Sequence, residues 1–256
     1  RAAMARPRGA ARTSALAALL TGSDIDAPRA AAALGLPAEG RYRVALAAPG
    51  TEAPALQRFL APIGMVHDAG EIDGATTAIV ELRGESGRPK LSRTIRGRNG
   101  VGAQRGWVAL SGLAMGGPSL PATAREARFV AALLEASAIT GPVACFDVLD
   151  DLGPYRLLYR LWGTPDLSAF TTEALGDLIS GDRRGTLRET LLAYLAAGGS
   201  HVEAAARLGI HRNTLAYRLK QIASLTGHEP TDPNTRLVLH LALLAAALPP
   251  APSGVA

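Results

Sequence analysis

Two helix starts joined by a glycine turn constrain the C-terminal part of this 256-residue chain more than any other feature. Ser200 with Glu203 has the spacing of a capping box, which satisfies the free backbone N–H groups where a helix begins. Gly209 then stands where a tight turn requires positive φ, and His211 is placed to cap the next helix. The pattern predicts a helix-turn-helix centred on residues 210–215.

Apolar residues at helical spacing predict which side of each helix is buried. An earlier helix opens at a capping box of Thr186 and Glu189, and its expected stripe is Leu187, Leu191 and Leu195. The stripe after Ser200 is expected to be Val202, Ala205, Ala206 and Leu208. The stripe after His211 is expected to be Leu215, Leu219 and Ile222. A last helix opens at Asp232 and Pro233, with its stripe at Leu237, Leu241, Leu244 and Leu248.

The opposite side of the third helix is polar and basic. Between Glu203 and Glu229 the chain has no acidic residue and four basic ones, Arg207, Arg212, Arg218 and Lys220. Such a helix favours nucleic acid, because basic side chains neutralise phosphates and Arg, Asn and Gln can read base edges. We therefore predict that a recognition helix over residues 211–226 binds DNA in the major groove. The predicted contacts are Arg212, Asn213, Thr214, Tyr217, Arg218, Lys220 and Gln221. The open alternative is a plain helical bundle with a solvated charged face.

The residues before this segment predict a domain that mixes strands and helices. Alternating apolar residues predict strands at residues 41–48, 63–67, 76–82, 106–110 and 143–148. Helical spacing predicts helices at residues 51–60, 123–137, 152–162 and 167–180. The expected fold class is α+β, with one mostly antiparallel sheet and helices on one side, followed by an all-α domain.

Glycines and charges mark a predicted domain boundary at residues 181–185. The expected organisation begins with an N-terminal helical element with a frayed start at residues 1–40. An α+β domain with trailing helices follows at residues 41–181. The helix-turn-helix domain occupies residues 182–256.

The run HRNTLAYRLKQI at residues 211–222, followed by Leu225, Thr226, Gly227, Asp232 and Pro233, is similar to a known sequence pattern. It resembles the C-terminal helix-turn-helix of the PucR and CdaR family of bacterial transcriptional regulators over residues 186–248. The resemblance implies sequence-specific control of catabolic or secondary-metabolic genes through an effector. It also implies a degenerate GGDEF-like domain ahead of the helix-turn-helix, where the likeness is one of pattern.

Sites of catalysis or metal binding are not expected. A GGDEF-type cyclase needs a Gly-Gly turn followed by acidic residues, but Pro follows Gly116-Gly117 and Ser follows Gly198-Gly199. The five histidines lack a ligand spacing, which argues against a metal site, and no cofactor is expected. Cys145 is the only cysteine and is expected in the core, and a helix cap is the simpler interpretation of Asp147, Asp150 and Asp151. The basic residues between 88 and 105 fit a site for an anionic effector, a contact with the DNA backbone or a solvated loop.

Charge and hydropathy narrow the expected partners. The net charge of +5 fits an anionic partner, and no apolar run reaches the roughly 18 to 20 residues that span a bilayer. We expect a cytoplasmic protein with double-stranded DNA, a second copy of the chain and a small-molecule effector as partners, and no membrane contact. The apolar excess of the last helix leaves a dimer contact and packing within the domain both open. The alternative function is a small-molecule-binding or enzymatic α+β domain with an accessory helical bundle.

Overall fold

The computed structural model describes residues 10–22, 25–82 and 106–251. The chain divides into two compact units, residues 1–159 and residues 160–256. The first unit combines a mixed sheet with helices and the second is helical, which confirms the predicted fold class. The basic segment 88–105 and the start of the chain, residues 1–9, lie outside the described residues.

The sheet of the first unit is mostly antiparallel, as predicted. Its strands in the described residues are β1 (Arg41–Ala47), β2 (Gly64–Ile72), β3 (Ala75–Leu82), β4 (Val108–Leu110), β5 (Ala114–Met115) and β6 (Val143–Cys145). They lie in the order β2-β3-β1-β4-β6, and β5 pairs with β1. Only the pairing of β4 with β6 is parallel among the described strands. The first four strands thus have the order and directions of a split β-α-β arrangement.

Central strand β1 is buried on both faces. All six residues from Tyr42 to Ala47 are buried, although the sequence alternates a charged residue among them. Ala45 and Ala47 belong to a core cluster with Leu56 and Phe59. The expectation that helices cover only one side of the sheet was therefore wrong for this strand, and its small alanines allow the close packing.

Six helices surround the sheet in the described part of the first unit. They are α1 (Ala10–Thr21), α2 (Ala27–Ala33), α3 (Ala53–Leu60), α4 (Leu120–Glu135), α5 (Leu149–Leu152) and α6 (Tyr155–Leu158). Single-turn 3-10 helices lie at Gly117–Ser119 and Tyr159–Leu161. The helix predicted at residues 152–162 is broken into short pieces because Gly153 has φ 52 and Pro154 lacks a backbone N–H.

The second unit consists of helices around one core. They are α7 (Pro165–Leu175), α8 (Leu178–Gly181), α9 (Thr186–Ala196), α10 (His201–Leu208), α11 (Arg212–Thr226) and α12 (Pro233–Ala246). Leu175 and Leu178 share a core cluster with Leu191, Leu215 and Leu239. Because α7 and α8 pack on the helix-turn-helix, the unit begins before them, whereas the sequence predicts a boundary at residues 181–185. None of the helices in the described ranges is long and apolar enough to cross a bilayer.

Candidate nucleic-acid interface

The turn between α10 and α11 has the geometry that the sequence predicts. Gly209 ends α10 in the left-handed region at φ 64, and the Ile210 N–H donates to the Ala205 carbonyl at 3.1 Å. His211 then caps α11, because its Nδ1 accepts a hydrogen bond from the Asn213 N–H at 3.2 Å. A left-handed glycine and a side-chain cap together fix the direction in which α11 leaves the turn.

The other predicted caps differ from the structure in part. Ser200 Oγ accepts from the Glu203 N–H at 3.3 Å, but the Glu203 carboxylate pairs with Arg207 at 2.6 Å instead of returning to the helix start. Thr186 does not cap α9, since the helix begins after Gly185, which has φ 72. The side-chain acceptor at that helix start is Asp182, whose carboxylate accepts from the Arg188 N–H at 2.8 Å.

Asp182 is a buried carboxylate held in its charged form. Burial raises the pKa of this group, but the backbone N–H groups of Arg188 and Leu187 and the Arg188 guanidinium outweigh burial and hold the pKa below its usual value. The Arg188 Nε lies 3.6 Å from the carboxylate. This cap could not be predicted from the residue pattern, because Asp182 precedes the helix by more than the usual capping distance.

The predicted stripe of α11 is confirmed, and two other stripes are corrected. Leu215, Leu219 and Ile222 are at most 3% exposed. In α10 the core side is formed by Ala204 and Ala205, and Val202 is 80% exposed. In α12 the buried residues are Leu239, Ala242, Leu243 and Ala245. Leu237, which belongs to the predicted apolar stripe, is 63% exposed. Alanine faces the core in both helices because it lets helix backbones approach closely.

Six of the seven predicted contact residues lie on the exposed side of α11. They are Arg212, Asn213, Thr214, Tyr217, Lys220 and Gln221. The Gln221 amide donates to the Tyr217 hydroxyl at 3.3 Å across one helical turn. Arg212 and Lys220 lie within ion-pair distance of no carboxylate in the ranges that the structure describes. The exposed side therefore carries unneutralised positive charge next to hydrogen-bonding groups.

The seventh residue, Arg218, faces α9. Its side chain is half-buried, and Nη1 donates to the Thr190 hydroxyl at 3.1 Å. Thr190 is fully buried in the middle of α9. The structure thus separates Arg218 from the other predicted contacts. This partner could not be predicted from the sequence, because the spacing of α9 places Thr190 among the core residues and gives no sign that its hydroxyl accepts a hydrogen bond from Arg218.

Arg236 is a second residue that the sequence did not single out. Its Nη1 donates to the Gly198 carbonyl at 2.6 Å and so ties α12 to the turn between α9 and α10. Gly199 lies there at φ 86, in the left-handed region that favours glycine, and a Cβ at this position would displace the Arg236 guanidinium. The turn that leads into the helix-turn-helix is therefore fixed from outside the motif.

Buried charges of the first unit form a structural cluster. Arg43 donates through both terminal nitrogens to the two carboxylate oxygens of Asp147 at 2.9 Å, and Nη1 lies 3.1 Å from the Cys145 sulfur. The Asp151 carboxylate accepts from the Cys145 N–H at 2.9 Å, so Asp147 and Asp151 both join this cluster at the end of β6. Cys145 is 4% exposed, which confirms its place in the core, and this burial raises the pKa of its thiol. No group of three metal-ligating side chains occurs among the described residues.

Comparison with known proteins identifies what the helical segment is similar to. Residues 187–245 match the PucR C-terminal helix-turn-helix domain. The chain is 46% identical over 77 residues to the transcriptional activator PmfR of Paenarthrobacter nicotinovorans, a match that covers 30% of this chain and 16% of that protein. It is 34% identical over 139 residues to an uncharacterised protein of Thermomonospora curvata, which covers 54% of this chain and 73% of that protein.

The matches cover only a small part of several of these proteins. The chain spans 15% to 16% of the length of the Mycobacterium and Paenarthrobacter relatives that it matches. One solved structure, a regulator of polyketide synthase expression from Bifidobacterium adolescentis, aligns over 91% of both chains with a TM-score of 0.43 and 21% identity.

Proposed function

The chain belongs to the PucR family of transcriptional regulators, and from that premise we propose that α11 enters the DNA major groove and reads base sequence. The main support for this proposal is the character of the exposed side of α11. The side of α11 opposite the core stripe exposes basic and amide side chains that lack carboxylate partners in the described residues, while Leu215, Leu219 and Ile222 hold the helix to the unit.

The exposed side chains suit different parts of a duplex. Arg212 and Thr214 lie in the first turn of α11, where the free backbone N–H groups also favour phosphate. Asn213 and Gln221 have amides that pair with the N6 and N7 edge of adenine. Lys220 and Tyr217 stand between them and complete the proposed contact surface. Phosphate contacts would position the helix, and the amides would select the sequence.

A homodimer and a small-molecule effector are further parts of the proposal. Leu237 is 63% and Val238 37% exposed on α12, which supports a contact with a second copy of the chain. A two-fold dimer would present two copies of α11 to a palindromic or repeated site. The proposal assigns the effector to the first unit, since the second unit carries α11, and places the protein in the cytoplasm, where DNA is accessible.

A DNA-binding assay with the full chain tests the central claim. We would select duplexes from a random-sequence pool and measure gel shifts with the selected duplex and with DNA from upstream of the chain's own coding region. The double variant Asn213→Ala, Lys220→Ala should weaken binding to the selected duplex by about tenfold or more, because one base contact alone is worth about 1–3 kcal/mol.

A matched control uses the same residue classes on the first unit. Gln57 and Arg58 are exposed on α3, so the double variant Gln57→Ala, Arg58→Ala removes one amide and one positive charge away from α11. The control should bind as the wild type does. Equal binding by both double variants would refute the contact surface, and absence of any salt-sensitive binding by the wild-type chain would refute the function.

A further inference from the structure

The recognition helix is hydrogen-bonded to α9 through one arginine. Arg218 Nη1 donates to Thr190 Oγ1 at 3.1 Å, and the same hydroxyl donates to the Thr186 carbonyl at 2.7 Å. A hydroxyl has one proton to donate and lone pairs to accept, so it can make both bonds at once. The result is a relay from the middle of α11 to the first turn of α9.

This relay is the directional part of an otherwise apolar contact. The two helices share a core cluster that includes Leu191, Leu215 and Leu219, and apolar burial is not directional. The buried stripe sets which side of α11 faces the core, and a directional bond further restricts the small rotations of α11 about its own axis that burial tolerates. A hydrogen bond weakens steeply when its angle departs from linear, so the bond from Arg218 resists such rotation.

We propose that Arg218 is a positioning residue, which fixes the rotation of α11 through Thr190 and does not itself bind a phosphate. The inference rests on the proposed function of α11. A neutral hydroxyl holds the guanidinium in place without an ion pair, and no carboxylate within the described ranges lies within ion-pair distance of Arg218. Because Asn213 and Tyr217 are carried by the same helix, a change in its rotation moves both away from the bases they face.

The test uses the full chain and four variants. They are Thr190→Val, Arg218→Gln, the double variant, and Thr171→Val as the control. Thr171 makes the same type of hydroxyl bond within α7, to the Leu167 carbonyl at 2.7 Å. The probes are a duplex enriched from a random pool by the wild type and a scrambled duplex of equal composition. Dissociation constants are measured at several salt concentrations, at a temperature where circular dichroism shows each variant folded.

The positioning role predicts a loss of specificity without loss of phosphate contacts. Thr190→Val and Arg218→Gln should each lower the ratio of selected to scrambled affinity by about tenfold, as expected for losing a hydrogen bond from a charged group. The double variant should lose no more than the single ones, since both break one relay. The slope of log affinity against log salt should not change, and Thr171→Val should bind as the wild type does.

Three results would overturn this role. If Arg218→Gln reduces the salt slope by about 0.9 while Thr190→Val binds as the wild type does, then Arg218 is a phosphate ligand. If both variants only lower the melting temperature and keep the affinity ratio, then the bond is merely structural. If the wild-type chain enriches no duplex, then the proposed function of α11 fails and the role of Arg218 fails with it.

Discussion

The two units use arginine in opposite ways. In the first unit Arg43 is 3% exposed and donates through both terminal nitrogens to Asp147. In the second unit Arg212 is exposed in the first turn of α11, within ion-pair distance of no carboxylate in the described chain. A buried charge must be paired because desolvation is costly, whereas a charge that meets phosphate must stay open. Burial and pairing mark Arg43 as a structural charge, whereas exposure leaves Arg212 available to an anionic partner.

The largest effect is expected from breaking the buried pair. Arg43→Ala should destabilise the first unit by about 3–5 kcal/mol, because it removes the guanidinium that compensates the charge of the largely buried Asp147 carboxylate. Urea unfolding followed by circular dichroism measures this change. The matched control is Arg58→Ala on α3, an exposed arginine whose loss should change the free energy of unfolding by less than about 0.5 kcal/mol.

Replacing both members of the pair sharpens the same comparison. The double variant Arg43→Met, Asp147→Leu should recover most of the stability that Arg43→Ala loses, since apolar residues of similar volume carry no desolvation cost. A double variant as unstable as Arg43→Ala would mean that the cluster stabilises the unit through its bonds to neighbouring groups and not through charge pairing.

In the second unit, the buried carboxylate that compares with Asp147 is Asp182, which caps α9. Asp182→Ala should cost about 1–2 kcal/mol, the value of a lost N-terminal cap. Because the pKa of Asp182 is lowered in the folded state, its contribution is present above about pH 4 and is lost as the pH falls through the folded pKa. Thermal melts should therefore show a gap between the wild type and Asp182→Ala that closes with acid.

The control for this pH dependence is Asp177→Ala, which changes an exposed aspartate that makes no side-chain cap bond. It should leave the melting temperature unchanged across the same range. A constant gap between the wild type and Asp182→Ala down to about pH 2 would show that the carboxylate charge is not what stabilises α9.

Arg212 is the exposed arginine of the comparison, and its replacement tests whether it contacts phosphate. Arg212→Ala should weaken DNA binding by about fivefold near 0.1 M salt and reduce the salt slope by about 0.9, because one phosphate contact is lost. Its free energy of unfolding should stay within about 0.5 kcal/mol of the wild type, since the residue is exposed. Fluorescence anisotropy at several salt concentrations measures both quantities. An unchanged slope would remove Arg212 from the contact surface.

Local signals allowed the turn and the start of α11, the centre of the candidate interface, to be predicted from sequence. A helix start and a left-handed glycine are decided by a few neighbouring residues, so Gly209, His211 and the stripe beginning at Leu215 lie where the pattern placed them. The alternation of β1 likewise predicted a strand, although not that both of its faces are covered.

Burial and side-chain pairing could not be predicted in the same way, because they depend on which helices meet. Helical spacing defined stripes for α10 and α12, but Val202 and Leu237 lie exposed while alanines face the core. The partners of Arg43 and Arg218 are distant in sequence, 104 and 28 residues away. The charge pattern grouped Arg218 with Arg212, whereas the structure separates the two by the partial burial of Arg218 and by its hydrogen bond to Thr190.

The smallest effect is expected at His211, whose replacement bears on both folding stability and DNA binding. His211→Ala should cost about 0.5–1 kcal/mol, because the Asn213 N–H loses its side-chain acceptor. His211→Asn and His211→Asp should both restore stability, since both residues are good caps. They should differ in DNA binding, because the Asp carboxylate adds a negative charge at the start of α11, where phosphate is expected. Parallel melts and binding isotherms of these variants measure the two properties separately. If His211→Asp bound DNA as well as His211→Asn, the first turn of α11 would lie away from the duplex, and the exposed arginine beside it would have no phosphate to meet.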